Sequence, residues 1–243
     1  MAAGSNPVIP TLIMTLMINK PKRFCKVHRF SLRGGYIEET IPEHLYEILL
    51  SESEKAKNDN LLATDTLVGH LEESYDLTQM PSHKFQKLEK YLIGLCSEYE
   101  DEFKLMRKYP IISDKIILDK NRPIKLSLDR MWVNYQKKYE FNPVHDHTGL
   151  YSFVIWLKIP YSCALDEYKT KGGNSNPLDK FPGTFHFLAT SDFRATASEK
   201  IVLDSTYEKT ILIFPSDLQH CVYPFYTSDE YRISVSGNLY LNF

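Results

Sequence analysis

The chain has 243 residues, with 29 Lys and Arg against 31 Asp and Glu, and a formal net charge of -2. That balance excludes a general nucleic-acid binder, whose footprint is a basic stripe. An apolar content of 43% with only 10 Gly is ordinary for a globular fold, and the length suits one compact, β-rich domain.

The first apolar stretch, Val8 to Ile18, lacks a charged n-region and a small-residue cleavage site and is interrupted by Pro10, so it does not read as a signal peptide. It is also short of the ~20 apolar residues that span a bilayer. A strand laid on the core and an extension ahead of a later start such as Met17 both remain open. Lys20, Lys22, Arg23, Lys26, Arg29 and Arg33 then read as a solvated strand edge, because Lys on an edge blocks strand addition. Phe24–Leu32 alternates as a strand. Thr40-Ile41-Pro42-Glu43 predicts a helix start, with Thr40 as N-cap and Glu43 at the capping-box position, running to about Ala56. Leu67-Val68-Gly69-His70 reads as a connection resting on the core. Ser82 is expected to cap a second helix after Pro81. In it Phe85, Leu88, Tyr91, Leu92, Leu95, Cys96, Tyr99 and Phe103 recur at helical spacing and make one buried face.

From Tyr109 onward the pattern is that of strands: Ile111–Leu118, Arg130–Lys138, Tyr151–Ile159, Thr184–Leu188, Lys200–Leu203, Thr210–Phe214 and Glu230–Leu241. The Tyr161–Pro182 insert is long and polar, as lids and binding loops often are. The expected fold is α+β but mainly β: an antiparallel jelly roll over residues 109–243, buttressed by an N-terminal strand and helical support region over 1–108, all in one compact domain. The four cysteines, Cys25, Cys96, Cys163 and Cys221, form no zinc or redox motif. Nothing demands an oxidising compartment, so a soluble intracellular protein is expected.

The chemistry is concentrated in histidines. His145-Asp146-His147 lies at the start of one strand, where residues i and i+2 share a face, and His220 lies at the end of another. Together they make a facial set of ligands, the arrangement of non-haem Fe(II) oxygenases. Zinc is not excluded by spacing alone. Arg232 and Ser234, one face of the last strand, favour iron, since a buried guanidinium suits the carboxylate of a 2-oxo acid co-substrate. An ordinary surface salt bridge from Arg232 to Asp229 or Glu230 is the competing reading. His28, His44, His70 and His83 have no partner in sequence and are expected at the surface, and His186 could line the barrel.

These residues also carry a resemblance. His145-x-His-x-Gly followed by Ser-Phe-Val-Ile-Trp-Leu-Lys-Ile-Pro-Tyr, then Phe-Pro-Ser-x-Leu-x-His-x-Val-x-Pro-Phe, then Arg-Ile-Ser-Val-Ser-Gly-Asn, resembles the 2-oxoglutarate/Fe(II)-dependent oxygenase superfamily, over roughly residues 128–243. The nearest likeness is a phage-type branch distantly similar to prolyl hydroxylases. The resemblance implies a double-stranded β-helix, cupin-like, that uses Fe(II), 2-oxoglutarate and dioxygen. It implies oxidative decarboxylation to succinate, with hydroxylation of a peptidyl residue, amino acid or other small substrate. His145 and His220 match metal ligands, Arg232 and Ser234 the co-substrate carboxylate site, and Asn134 a neighbouring co-substrate contact; Trp132 and Trp156 remain core aromatics. The chain departs from the usual His-x-Asp/Glu in having His147 at i+2. Either His145, His147 and His220 form a three-histidine site, or a bulge turns Asp146 inward. A three-histidine dioxygenase needing no 2-oxo acid and a non-catalytic, virion-associated jelly-roll module are the alternatives.

Overall fold

The computed structural model describes residues 25–31, 34–63, 68–105, 125–170, 180–190 and 196–242. Its elements are β1 (Lys26–Ser31), β2 (Gly34–Thr40), α1 (Glu43–Asn58), β3 (Ser74–Asp76), α2 (Ser82–Phe103), β4 (Lys125–Gln136), β5 (Asn142–His145), β6 (Tyr151–Lys158), β7 (Phe185–Thr190), β8 (Thr196–Ile201), β9 (Thr210–Pro215), β10 (His220–Val222) and β11 (Arg232–Asn242). The expected elements over Val8–Ile18 and Ile111–Leu118, and all of the Lys171–Pro177 stretch, fall outside the described residues.

Two antiparallel sheets face each other. The larger has the order β1-β2-β9-β6-β11-β4-β3 and the smaller β5-β10-β7-β8. From β4 onward the chain alternates between them: β4 large, β5 small, β6 large, β7 and β8 small, β9 large, β10 small, β11 large. That winding is a double-stranded β-helix. Strands β1, β2 and β3, from the first half of the chain, extend the large sheet on both sides, so this half supplies strands as well as helices.

The large sheet is buried on both faces, which is why its central strands read as almost continuous apolar runs. On one face Phe153, Ile155, Val133, Ile211, Ile213 and Val235 meet the apolar stripes of α1 and α2. On the other, Val154, Trp156, Leu212 and Phe214 meet Phe185 and Phe187 of the small sheet. Seven of the eight α2 residues read as a buried face are buried; Phe85 packs at its margin. No helix among the described residues is long and apolar enough to cross a membrane.

Both helix starts differ from expectation in the same way. Thr40 is held in the ladder opposite Thr210, and the Ile41 amide donates to Lys209 O at 2.8 Å, so Thr40 cannot turn back as an N-cap. The caps are Pro42 (φ -58°, ψ 141°) and Pro81 (φ -52°, ψ 132°), neither with a side-chain cap bond. A proline ring fixes φ near the value this position needs, so the backbone is preset without a capping hydroxyl. Ser82 is the first helical residue instead. The Val68–His70 part of the predicted core connection is exposed; His70 bridges to Phe141 instead.

Candidate metal centre and its cavity

The three histidines converge by a different route from the one expected. His145 is the last residue of β5, and His147 lies in the turn before β6, so they do not share one strand. His145 and His220 are direct cross-strand partners on β5 and β10, with ring centroids 4.3 Å apart. The turn brings in the third ring. The His147 amide donates to Ser216 O at 2.8 Å, tying it to the turn between β9 and β10. Gly149, at φ +110°, packs so close to β11 that a Cβ would lie 2.9 Å from Leu239 O. All three rings offer ligand nitrogens within 4.8 Å of one another. Asp146 lies between them in sequence but is exposed and outside the cluster.

The donor set suits a cation. His145 Nδ1 lies 2.7 Å from Pro143 O and His220 Nδ1 2.9 Å from Leu218 O. A carbonyl only accepts, so each Nδ1 carries the proton and each Nε2 presents a lone pair. His147 Nε2 is 3.1 Å from His220 Nε2. Two nitrogens bound at about 2.1 Å and at right angles to one ion lie about 3.0 Å apart. Burial lowers all three pKa values, at His145 against the opposing Pro143 carbonyl and Asp146; neighbouring imidazoles add to it at His147, lowered to about 4, and at His220, lowered well below the ordinary range. All three rings are therefore neutral near pH 7, the state that binds metal. Imidazole donors suit iron, and equally zinc, copper or nickel.

A cavity of about 600 Å³ opens beside them. Its floor is the inner face of the large sheet: Trp132, Asn134 and Gln136 of β4 alternate toward it, as do Arg232, Ser234, Ser236 and Asn238 of β11. Arg232 is 1% exposed. Its guanidinium donates to Gln136 Oε1 at 2.5 and 3.2 Å, to Tyr161 OH at 2.5 Å, to Tyr223 O at 3.2 Å and to Gly183 O at 3.4 Å. None of these partners is charged. Asp229 and Glu230, the acids that competed for it in sequence, pair with Lys138 and Lys158. Ser234 pairs across to Asn134, whose Oδ1 accepts from Ser74 Oγ at 2.8 Å.

Several features went unread in sequence. Trp132 and Trp156 are buried, but both also form cavity wall, and the Trp132 ring lies 5.7 Å from that of His147. Gln136 and Tyr161 hold the guanidinium. Gln136 follows Asn134 at strand spacing and could have been found; Tyr161 opens the insert read as a polar loop and shows no local signal. His186 lies in a buried pair of hydrogen bonds with Thr184 and Ser198 and is not part of the cavity wall. His44, His70 and His83 are exposed, whereas His28 is half-buried and stacked on Tyr36.

A family model described as "Putative 2OG-Fe(II) oxygenase" matches residues 130–238, the stretch that carries all three histidines and Arg232. The chain thus carries a 2-oxoglutarate/Fe(II) oxygenase domain over residues 130–238. It is therefore an enzyme whose co-reactants are Fe(II) and 2-oxoglutarate. Among solved structures it is similar to a Pseudomonas putida prolyl-4-hydroxylase, at 13% identity over 85% of this chain and 92% of that one, with a TM-score of 0.48. It is also similar to a viral collagen prolyl hydroxylase from Paramecium Bursaria Chlorella virus-1 in its 2-oxoglutarate complex (11%, 84% and 94%, TM-score 0.45). A third is a Trichoplax adhaerens prolyl hydroxylase bound to a peptide fragment of hypoxia inducible factor (11%, 85% and 84%, TM-score 0.49). At these identities and scores the likeness says nothing about substrate. No curated protein matches the chain.

Proposed function

We propose that His145, His147 and His220 hold Fe(II), and that Arg232, with Ser234 and Asn134 beside it, holds the distal carboxylate of 2-oxoglutarate. The chain then hydroxylates a small molecule or a peptidyl residue. Arg232 carries this reading. A buried cation with only neutral partners costs several kcal/mol, and a carboxylate that displaces some of those partners from the cavity side compensates it.

Bound Fe(II) supplies the oxidising chemistry, in which the oxo acid and dioxygen yield succinate and carbon dioxide while the substrate gains a hydroxyl. The residues supply the frame. The carbonyl bonds at Nδ1 fix the rings of His145 and His220 and keep Nε2 free to coordinate. Gln136 and Tyr161 hold the guanidinium fork in one plane, so that little orientation is left to lose when the carboxylate arrives. Trp132, Val154 and Phe214 form apolar wall that limits water around the reacting atoms.

The test is an anaerobic titration of metal-free protein with Fe(II) and then 2-oxoglutarate, following the visible charge-transfer absorption of the ternary complex. The band is expected in the wild type. Iron binding without a band would favour a dioxygenase that needs no 2-oxo acid, and failure to bind iron would favour a non-catalytic jelly-roll module.

A further inference from the structure

Strand β4 changes face once. Before residue 129 the even-numbered Leu126 and Leu128 pack toward the helices; after it the odd-numbered Met131, Val133 and Tyr135 do. The switch is a β-bulge: Asn238 pairs with Arg130 and Leu239 with Leu128, which leaves Asp129 without a partner on β11. A bulge of this kind re-aims side chains, and Asp129 and Arg130 both line the cavity while remaining exposed at its mouth. β11 accommodates the kink with Gly237, where a Cβ would lie 2.5 Å from Arg130 O.

Neither charge is engaged by another side chain among the described residues. Among the described residues, Asp129 and Arg130 enter no ion pair and no side-chain hydrogen bond. Asp76, a neighbouring acid on the same wall, is taken by the Thr78 amide and hydroxyl at 2.8 and 2.7 Å. Asp146 lies on the histidine side of the wall. Trp132 follows Arg130 by two residues, roughly 7 Å of strand, and its ring reaches the His147 ring. An unpaired acid and an unpaired base therefore stand side by side, one step along the strand from the metal centre.

Resting on the oxygenase reading above, we propose that Asp129 and Arg130 read the two charges of a zwitterionic substrate, a free α-amino acid. Its ammonium meets the Asp129 carboxylate, its carboxylate meets the Arg130 guanidinium, and its side chain passes Trp132 toward the histidines. A lone free arginine would select acids and a lone aspartate bases. Adjacent charges of both signs select a dipolar head group, and the cavity of about 600 Å³ has room for one beside a five-carbon co-substrate.

The experiment uses the full chain loaded with Fe(II) and 2-oxoglutarate and follows succinate release. The probes are the proteinogenic L-amino acids, each free, N-acetylated and as the α-carboxamide. At least one free amino acid should raise succinate release above the substrate-free rate. Blocking either charge should raise its KM about tenfold, as expected for losing one exposed charge-assisted hydrogen bond. Arg130→Gln should reproduce the carboxamide effect and Asp129→Asn the acetyl effect, on KM more than kcat. Neither variant should lose further when the matching charge is already blocked. The charge-transfer band in each variant reports that the metal centre is intact. Equal turnover of blocked and free forms, unchanged KM in both variants, or no response to any free amino acid while the band forms would each overturn the assignment. Absence of the band in the wild type would instead remove the oxygenase reading, and the assignment with it.

Discussion

Replacing Arg232 with methionine keeps most of the buried side-chain volume and removes the charge. Two charge-assisted hydrogen bonds to a carboxylate are worth about 1.5–3 kcal/mol each, so the variant should bind 2-oxoglutarate at least about 100-fold more weakly. The cost to the ligand-free fold is smaller. Tyr161 OH keeps its bond to Gly183 O at 2.8 Å, and Gln136 Oε1 loses its donors, but an uncompensated buried cation is also removed. The two effects separate in a thermal melt. With metal bound and 2-oxoglutarate at about 100 times the wild-type Kd, the wild type gains ~2.7 kcal/mol of stability. For a chain of this size that is a rise in Tm of about 5–10 °C. At the same concentration Arg232→Met should gain about 0.4 kcal/mol, a shift near 1 °C. A variant that keeps the full ligand-induced shift would refute the role given to Arg232, because the co-substrate would then be held elsewhere.

His220→Ala should abolish stoichiometric Fe(II) retention after desalting, whereas Asp146→Ala should retain it, since Asp146 is exposed outside the cluster; iron loss in Asp146→Ala would restore the inward-bulge alternative. Gly237→Ala should lower the urea midpoint by the equivalent of about 1–3 kcal/mol, because its Cβ would sit 2.5 Å from Arg130 O and 2.7 Å from the Phe153 ring; an unchanged midpoint would contradict this packing. Glu73 gives a pH prediction. Burial alone would raise its carboxyl, but hydrogen bonds from Lys57, Tyr231 and Lys137 outweigh it and hold the pKa at about 2, below the ordinary 4.5. A depressed folded-state value contributes stability that is complete above the ordinary pKa and is lost as pH falls from there toward 2. Urea midpoints at pH 6 and pH 3 should therefore fall more in the wild type than in Glu73→Gln, and an equal fall would refute the assignment.

The strand-rich second half was legible because its central strands, β6 and β9, are buried on both faces and its runs are bounded by Pro, Gly and Asn. β4 extends back to Lys125, five residues before its expected start, because β11 pairs with it along its whole length, from Arg232↔Gln136 to Asn242↔Lys125. The short strands β3, β5 and β10 were not legible: three or four residues carry too little pattern, and they exist only through their neighbours. β2 was missed for a different reason, its Gly34-Gly35 start, although Tyr36 and Ile37 are buried. Gly35 is there because β1 passes so close that a Cβ would lie 1.8 Å from His28 O.

The sequence by itself determined the chemistry of the site. Histidines in two separate motifs, with an arginine beyond them, are residue types whose donors and charge are properties of the side chain alone. It also held the bulge at Asp129-Arg130 as a slip in alternation from Leu126 and Leu128 to Met131, Val133 and Tyr135. Only the tertiary structure decided which donors meet. His147 joins the cluster, and Asp146 does not, because the turn after β5 is tied to Ser216 on another strand connection. Arg232 is a buried, uncompensated cation rather than a surface ion pair because Lys138 and Lys158 take the nearby acids while Gln136 and Tyr161 close around it. Pairing partners, burial and access to a shared cavity are relations between distant segments, and no local stretch of sequence contains them.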